Sequence, residues 1–489
     1  MYYKYIKEKT FFAPGIKMWS NGIPLKADTW SSCNNWCKYC YANELRASTL
    51  GRTGIKQNLQ VARILDIKAL ARIFETAYSE NDERTPFMNW AIRNKYFIEL
   101  GTMGEVFQEE DLEIGVSKNF FNLTSAYEMP IFINTKLNLI CKNEEYMKLL
   151  VSHKAPIIIC LTLTTVDDKL GKIYEPMAPL PSERLRTIKE LSKYSHIKTI
   201  VYISPFMPGV TDLDPEKYTN SLLDAGILGA HLRDFYMQGK TFQNPFWQKY
   251  VKDNKDNLES FPGGYHASYE SRKRFLQAVQ KIATSRDKDF QVVGMKSKWF
   301  ELNPYHGKMC YDNLPEKFKN GITDFTAIPI MRKIKENSDK PQLLFWNKIG
   351  HKNINLPDKI RTNEGGINNL MEGICNCNTS DINYEMKGED WLAGGLWNGW
   401  KDSKPEGFFS GLDYIYPVTD SGKYIKENGD FIYAYLPREY NNLISDGSQT
   451  FLFGPPSGIK NATIDVKYTK DFLIPERKGG IEDKWLNNI

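Results

Sequence analysis

From about residue 90 to residue 240, short apolar runs alternate with stretches in which apolar residues return every three or four positions. The runs Tyr96–Leu100, Ile131–Thr135, Ile157–Thr165, Ile200–Ser204 and Ala230–Phe235 read as strands. Helical spacing falls over 111–127, 144–152 and 215–223, and over 182–192, where Leu185, Ile188 and Leu191 share one face behind the start Pro181-Ser182-Glu183-Arg184. Lys26–Trp30 adds a strand ahead of the first block. Strands separated by helices imply parallel βαβ units, and about six of them predict an α/β chain built as a partial (β/α)6 TIM-like barrel. In such barrels the functional groups sit at the C-terminal ends of the strands.

After about residue 240 the periodicity weakens, although 268–284 still reads as a helix. Beyond about 335 turn signals dominate: Glu364-Gly365-Gly366, Ala393-Gly394-Gly395, Glu427-Asn428-Gly429 and Gly454-Pro455-Pro456. The organisation predicted is an N-terminal segment (1–25), the partial barrel (26–245), a helical or mixed extension (246–335) and a loop-rich α+β region covering the barrel (336–489).

Composition narrows this only in part. The 489 residues suffice for one large domain with additions or for two to three domains. The 64 basic and 59 acidic residues leave a net charge of +5, which permits nucleic-acid binding without arguing for it. Eight cysteines in so long a chain are no disulfide framework and fit a reducing, cytoplasmic setting. The start Met1-Tyr2-Tyr3-Lys4 lacks the pattern of a signal peptide, and no run of about 18 apolar residues predicts a membrane span.

The chemistry concentrates in Cys33-Asn-Asn-Trp-Cys37-Lys-Tyr39-Cys40, a C-x3-C-x2-C spacing. Three neighbouring thiolates can hold three irons of a 4Fe–4S cluster and leave the fourth iron for a small molecule, whereas such clusters normally take four cysteines. Zinc is the weaker reading, because a structural zinc site needs a fourth ligand and the nearest histidine, His153, lies more than a hundred residues on.

The run resembles the signature of the radical S-adenosylmethionine superfamily. Residues from about 28 to 240 resemble its branch typified by spore photoproduct lyase and DNA-repair-photolyase-like proteins. Besides Cys33–Ala42, the resemblance rests on Gly101-Thr102-Met103-Gly104-Glu105 through Glu110, on Thr135-Lys136, on Leu161–Thr165 with Tyr174-Glu175-Pro176 and Pro179–Arg184, and on Ile203–Gly209. It implies a radical enzyme with a 4Fe–4S cluster on Cys33, Cys37 and Cys40 and S-adenosylmethionine on the open iron. Tyr39 and Tyr41 would pack by the cluster and the adenine. Lys136 would meet the cofactor carboxylate, and Thr162 or Thr164 the ribose or methionine part. Gly104 and Glu105, with Thr102, would stand at the methionine amino group.

The branch also implies a nucleic-acid base as substrate, repaired or modified, and an electron donor such as flavodoxin or ferredoxin. Where spore photoproduct lyase carries its hydrogen-donating cysteine this chain has Gly101, so Cys141 and Cys160 are the alternative donors, each also readable as core. Glu175 and Arg184 read as an ion pair or helix-cap contact rather than as catalytic groups. Cys310, Cys375 and Cys377 raise a second cluster. The basic and aromatic residues of 271–275 and 296–300 raise a nucleic-acid groove, with a solvated helix and core aromatics as the alternative, and Trp391, Trp397 and Trp400 raise a core or a lid. Two other functions remain open at this point: a radical enzyme acting on a peptide or small metabolite, and a non-enzymatic, metal-bearing nucleic-acid-binding protein.

Overall fold

The computed structural model describes residues 4–9, 12–14, 23, 25–40, 61–79, 86–102, 104–232, 236–238, 244–261, 264–286, 290–293 and 315–318. It also describes the strand segments 342–345, 414–420, 423–424, 426–427, 430–436, 444–445 and 463–465. Tyr41, Met103, Cys310, Cys375, Cys377, 296–300 and the three tryptophans of 391–400 lie outside the described residues.

The chain divides into two compact units, the first made of 1–15, 23–295 and 306–320. Its centre is a sheet of β1 (Phe12–Pro14), β2 (Leu25–Ala27), β3 (Ile98–Leu100), β4 (Ile131–Thr135), β5 (Ile157–Thr162), β6 (Ile197–Ile203), β7 (Gly229–Leu232) and β8 (Gln291–Val293). Spatial order follows chain order from β1 to β8. β2 to β8 pair in parallel, and only β1 runs antiparallel, against β2. This is a mostly parallel α/β sheet of barrel-like winding. No pairing between β1 and β8 closes it among the described residues.

The strand sequences explain the arrangement. Ile157, Ile158, Ile159, Cys160 and Leu161 of β5 are all fully buried, so this strand shows no in–out alternation. A parallel strand covered by helices on both faces reads in this way. The crossovers are capped locally. Asn143 accepts from the backbone N–H of Glu145 and Tyr146 at the start of helix Glu144–Val151. Pro181 opens helix Pro181–Leu191, where the Glu183 carboxylate accepts the Leu180 N–H at 2.7 Å.

One predicted helix is broken. The pattern over 111–127 becomes Asp111–Ile114 and Val116–Ala126, because Gly115 takes a left-handed φ of +67°. Asp111 then caps the second helix, accepting from the N–H of Ser117 at 2.9 Å and of Lys118 at 3.1 Å. The same carboxylate accepts Trp30 Nε1–H at 3.1 Å and the Tyr146 hydroxyl at 2.7 Å, which fixes the start of the cysteine loop to the helical layer.

The first unit extends beyond the expected barrel limits at both ends. β1 comes from the N-terminal segment, and β8 together with helix Tyr269–Ser285 comes from the expected extension. That helix packs on helix Pro215–Asp224, with Phe275 edge-on to Tyr218 at 5.5 Å. Arg272 and Phe275 are 0% and 2% exposed. The basic–aromatic reading of 271–275 is corrected to that extent: one face of the stretch is core, and only Lys273 and Arg274 turn outward. The second unit contains a largely antiparallel sheet with strands Gln342–Phe345, Tyr414–Asp420 and Asp430–Leu436. No helix of the described residues is long and apolar enough to cross a membrane.

Candidate functional site

The C-terminal ends of β2, β3, β4 and β5 carry the groups singled out by the sequence. The cysteine loop follows β2. Cys37 is 8% exposed, and Cys33 and Cys40 are half-buried. The loop is stitched to its surroundings through its backbone: Lys38 N–H donates to Tyr174 O at 2.9 Å, Met177 N–H to Asn35 O at 3.3 Å, and Glu105 N–H to Ser32 O at 3.3 Å.

Gly104 makes the last of these approaches possible. A Cβ there would stand 2.3 Å from Trp30 O and 2.7 Å from Ser32 O, both backbone atoms that cannot swing away. Gly104→Ala is expected to destabilise the first unit by about 1–3 kcal/mol, the usual cost of overpacking, read as a lower urea midpoint. An unchanged midpoint would remove this close approach as a determinant.

Two buried carboxylates bracket Cys37. Before it, Glu105 accepts from Asn35 Nδ2–H at 3.3 Å, the Thr135 hydroxyl at 2.6 Å, Lys136 N–H at 2.9 Å and Phe107 N–H at 3.2 Å. Four protein donors fill the acceptor capacity of a carboxylate, so the role this structure shows for Glu105 is to tie the loop to the end of β4. After Cys37, Glu175 accepts from the Tyr39 hydroxyl and pairs with the Arg184 guanidinium. Lys136 Nζ stands 3.1 Å from Glu175 Oε1 and donates to the Tyr39 oxygen at 3.1 Å. The Thr164 hydroxyl donates to the Tyr39 oxygen at 3.1 Å. The expected Glu175–Arg184 ion pair is present, and it lies inside the site.

Burial by itself would raise the Glu175 carboxyl. The charges of Arg184 and Lys136, with the hydrogen bonds of Tyr39 and Arg184, outweigh it and hold the group down at about 2. Arg184 is fully buried and is oriented independently, donating from Nε to Pro179 O at 2.7 Å and from Nη1 to Thr162 O at 3.2 Å. The network therefore contains the cations Lys136 and Arg184 and the anion Glu175, and with Glu105 on the other side of Cys37 two buried cations face two buried carboxylates.

Other expected residues fall as follows. The backbone N–H and hydroxyl of Thr102 are taken by Asp28, each at 3.0 Å. Thr162 ends β5 and Thr164 lies beyond it, so the two do not share one strand face. Cys160 is fully buried in mid-sheet, in register with Asn134 and Ile200. Cys141 is half-buried on helix Asn138–Lys142, and burial pushes its thiol up to about 11 against the hydrogen bond with Thr187. His153 is engaged away from the loop, near Thr124 and the Ala155 carbonyl.

Comparison with known proteins adds little to this geometry. No family model matches the chain. The chain is similar to the uncharacterized protein ORF301 of Acidianus two-tailed virus, at 22% identity over 245 residues, 46% of this chain and 72% of that protein. Among solved structures it is similar to a double mutant of spore photoproduct lyase with bound AdoMet and dinucleoside spore photoproduct. That overlap has a TM-score of 0.40 and 11% identity, over 59% of this chain and 80% of the other, too loose to carry residue roles across.

Among the described residues no group of three or more His, Cys, Asp or Glu side chains is arranged to hold a metal ion. The donor chemistry still fits a cluster. The three thiols share one loop, and Cys37 lies within electrostatic reach of Lys136, Glu175, Cys33 and Cys40. A cubane takes one thiolate per iron, so its ligands stand apart around it rather than meeting at a point. Burial pushes the Cys37 thiol up, with Lys136 pulling the other way, and coordination would reverse that balance.

Sequence reading gave no role to the polar groups that join the loop to its surroundings, although Gln108 and Glu110 lie in a segment that carries the resemblance. Gln108 donates to the Ser32 hydroxyl at 3.3 Å, Asn34 donates to Glu110, and Asn138 donates to Asn35 at 2.6 Å.

Proposed function

We propose that this protein is a radical S-adenosylmethionine enzyme whose Cys33, Cys37 and Cys40 hold a 4Fe–4S cluster. The observation that carries the reading is the C-x3-C-x2-C loop at the C-terminal edge of a parallel sheet, with Cys37 buried beside Lys136 and Glu175. Cys33, Cys37 and Cys40 would hold the cluster, which when bound would supply the electron for reductive cleavage of S-adenosylmethionine and so the radical chemistry that takes hydrogen from a substrate. The protein's own share is to bind, orient and exclude water. Lys136, 7% exposed, is the cation for the cofactor carboxylate, and Tyr39 and Thr164 fix its surroundings. A one-electron donor such as flavodoxin or ferredoxin completes the reaction.

For the substrate we propose a nucleic-acid base, on the sequence segments that resemble the DNA-repair branch. One observation favours a second reading, a peptide or small metabolite: Arg272 and Phe275 of the basic–aromatic stretch are core. Salt-dependent binding of single-stranded DNA or RNA separates the two.

The test is anaerobic reconstitution with iron and sulfide, reduction, and measurement of 5′-deoxyadenosine after addition of S-adenosylmethionine. Cleavage is expected; stoichiometric zinc without cleavage would make the loop a structural metal site. Lys136→Ala is expected to retain the cluster and bind S-adenosylmethionine about 10- to 100-fold more weakly, the value of a charge-assisted hydrogen bond. Equal affinity in wild type and variant would take Lys136 out of the cofactor site.

A further inference from the structure

We propose that Glu175 is a positioning residue of this site: it fixes the Tyr39 hydroxyl and the Lys136 ammonium relative to each other and thereby sets the anion-binding geometry beside Cys37. The inference rests on the radical S-adenosylmethionine reading.

Glu175 joins four separate pieces of chain. Its Oε1 meets Tyr39 of the cysteine loop, Lys136 after β4 at 3.1 Å and Thr164 after β5 at 3.4 Å, while Oε2 meets Arg184 on helix Pro181–Leu191. The Lys136 backbone N–H is already held by Glu105, so what remains adjustable is where the ammonium points. Of its three N–H groups, one faces Glu175 and one faces the Tyr39 oxygen, which aims the third. Arg184 is anchored from behind by Pro179 O and Thr162 O, so Glu175 rests on a cation whose place does not depend on it. The hydroxyl of Tyr39, between Cys37 and Cys40 in sequence, is thus tied to the rigid sheet edge through one side chain.

A plain ion pair would do no more than neutralise Arg184. The double variant Glu175→Gln with Arg184→Met separates these roles. It removes one charge of each sign, so the local charge balance is unchanged, and exchanges a buried pair for uncharged groups of similar size, a change such sites tolerate. Positioning predicts a folded protein with faster amide hydrogen exchange over 31–40 in the metal-free chain. It also predicts at least about tenfold weaker S-adenosylmethionine binding after reconstitution. Wild-type exchange over 31–40, or unchanged affinity, would overturn the proposal and leave Glu175 a neutralising partner.

Tyr39→Phe is the second arm. It deletes the clamped hydroxyl without altering a buried charge, so it reads the clamp even where the double variant does not fold. It too should loosen 31–40, and unaltered exchange there counts against the proposal equally. The two readings fail differently. Wild-type protein that binds no S-adenosylmethionine refutes the enzyme class, whereas the exchange measurement reports on the clamp alone.

Discussion

Cys37→Ala protein, reconstituted anaerobically with iron and sulfide, is expected to assemble no 4Fe–4S cluster and to release no 5′-deoxyadenosine from S-adenosylmethionine. Cys33→Ala and Cys40→Ala should behave alike, because a cluster with a vacant iron has no spare protein ligand to lose. Cys37 is the most buried of the three, so rescue by an exogenous thiol is least expected there. Cys160→Ala is the control: that residue lies fully buried in β5, and its replacement should lower stability while leaving the iron content unchanged. Iron and sulfide content, the visible absorption of the cluster and chromatography of the nucleoside decide the matter. A Cys37→Ala protein with a full cluster and wild-type cleavage would refute the ligand assignment.

Arg184→Met is expected to destabilise the first unit by about 3–5 kcal/mol at pH 7, because it leaves the Glu175 carboxylate buried with Lys136 as its remaining cation. Urea unfolding followed by the fluorescence of buried Trp30 and Trp247 reads the change.

Its pH dependence has a defined sign. The folded carboxyl of Glu175 is held at about 2, below its ordinary 4.5, so the stability it contributes is complete above about 4.5 and lost as pH falls towards 2. Without Arg184 burial is less opposed, the carboxyl rises, and the variant takes up its proton at a higher pH. The gap between wild type and Arg184→Met should therefore be widest where both folded carboxyls are ionised and shrink as pH falls from the variant's raised carboxyl towards about 2, the unfolded state being common to both. A gap independent of pH would mean that Arg184 stabilises through packing and its bonds to Pro179 and Thr162 instead.

Much of the sheet was legible because its signals are local. Ile131–Thr135 is a strand with the bounds its apolar run gives, and Pro181 marks a helix start because its fixed φ and missing N–H suit that position. Gly115 was harder. A single glycine inside a helical pattern is compatible with continuation, and only the packing of Asp111 against Trp30 and Tyr146 turns it into a break. β1 and β8 went unread because each is three residues long with no longer apolar run or motif beside it, whereas the equally short β2 leads into the cysteine loop and β3 ends the apolar run Tyr96–Leu100. The burial of Arg272 was equally hidden: its neighbours in sequence are polar, and what covers it comes from elsewhere in the fold.

The sequence by itself determined the C-x3-C-x2-C spacing of Cys33, Cys37 and Cys40, the parallel βαβ order and the placing of Lys136 and Thr162 at strand ends, since each follows from spacing within a few residues. The tertiary structure decided which charges surround the loop. Glu105 reaches Asn35 across 70 positions and Glu175 reaches Tyr39 across 136, and no local pattern encodes a contact of that span. Such contacts exist because parallel strands bring their C-terminal ends to one edge, where burial strips water from each carboxylate and leaves the nearest protein donors as its only partners.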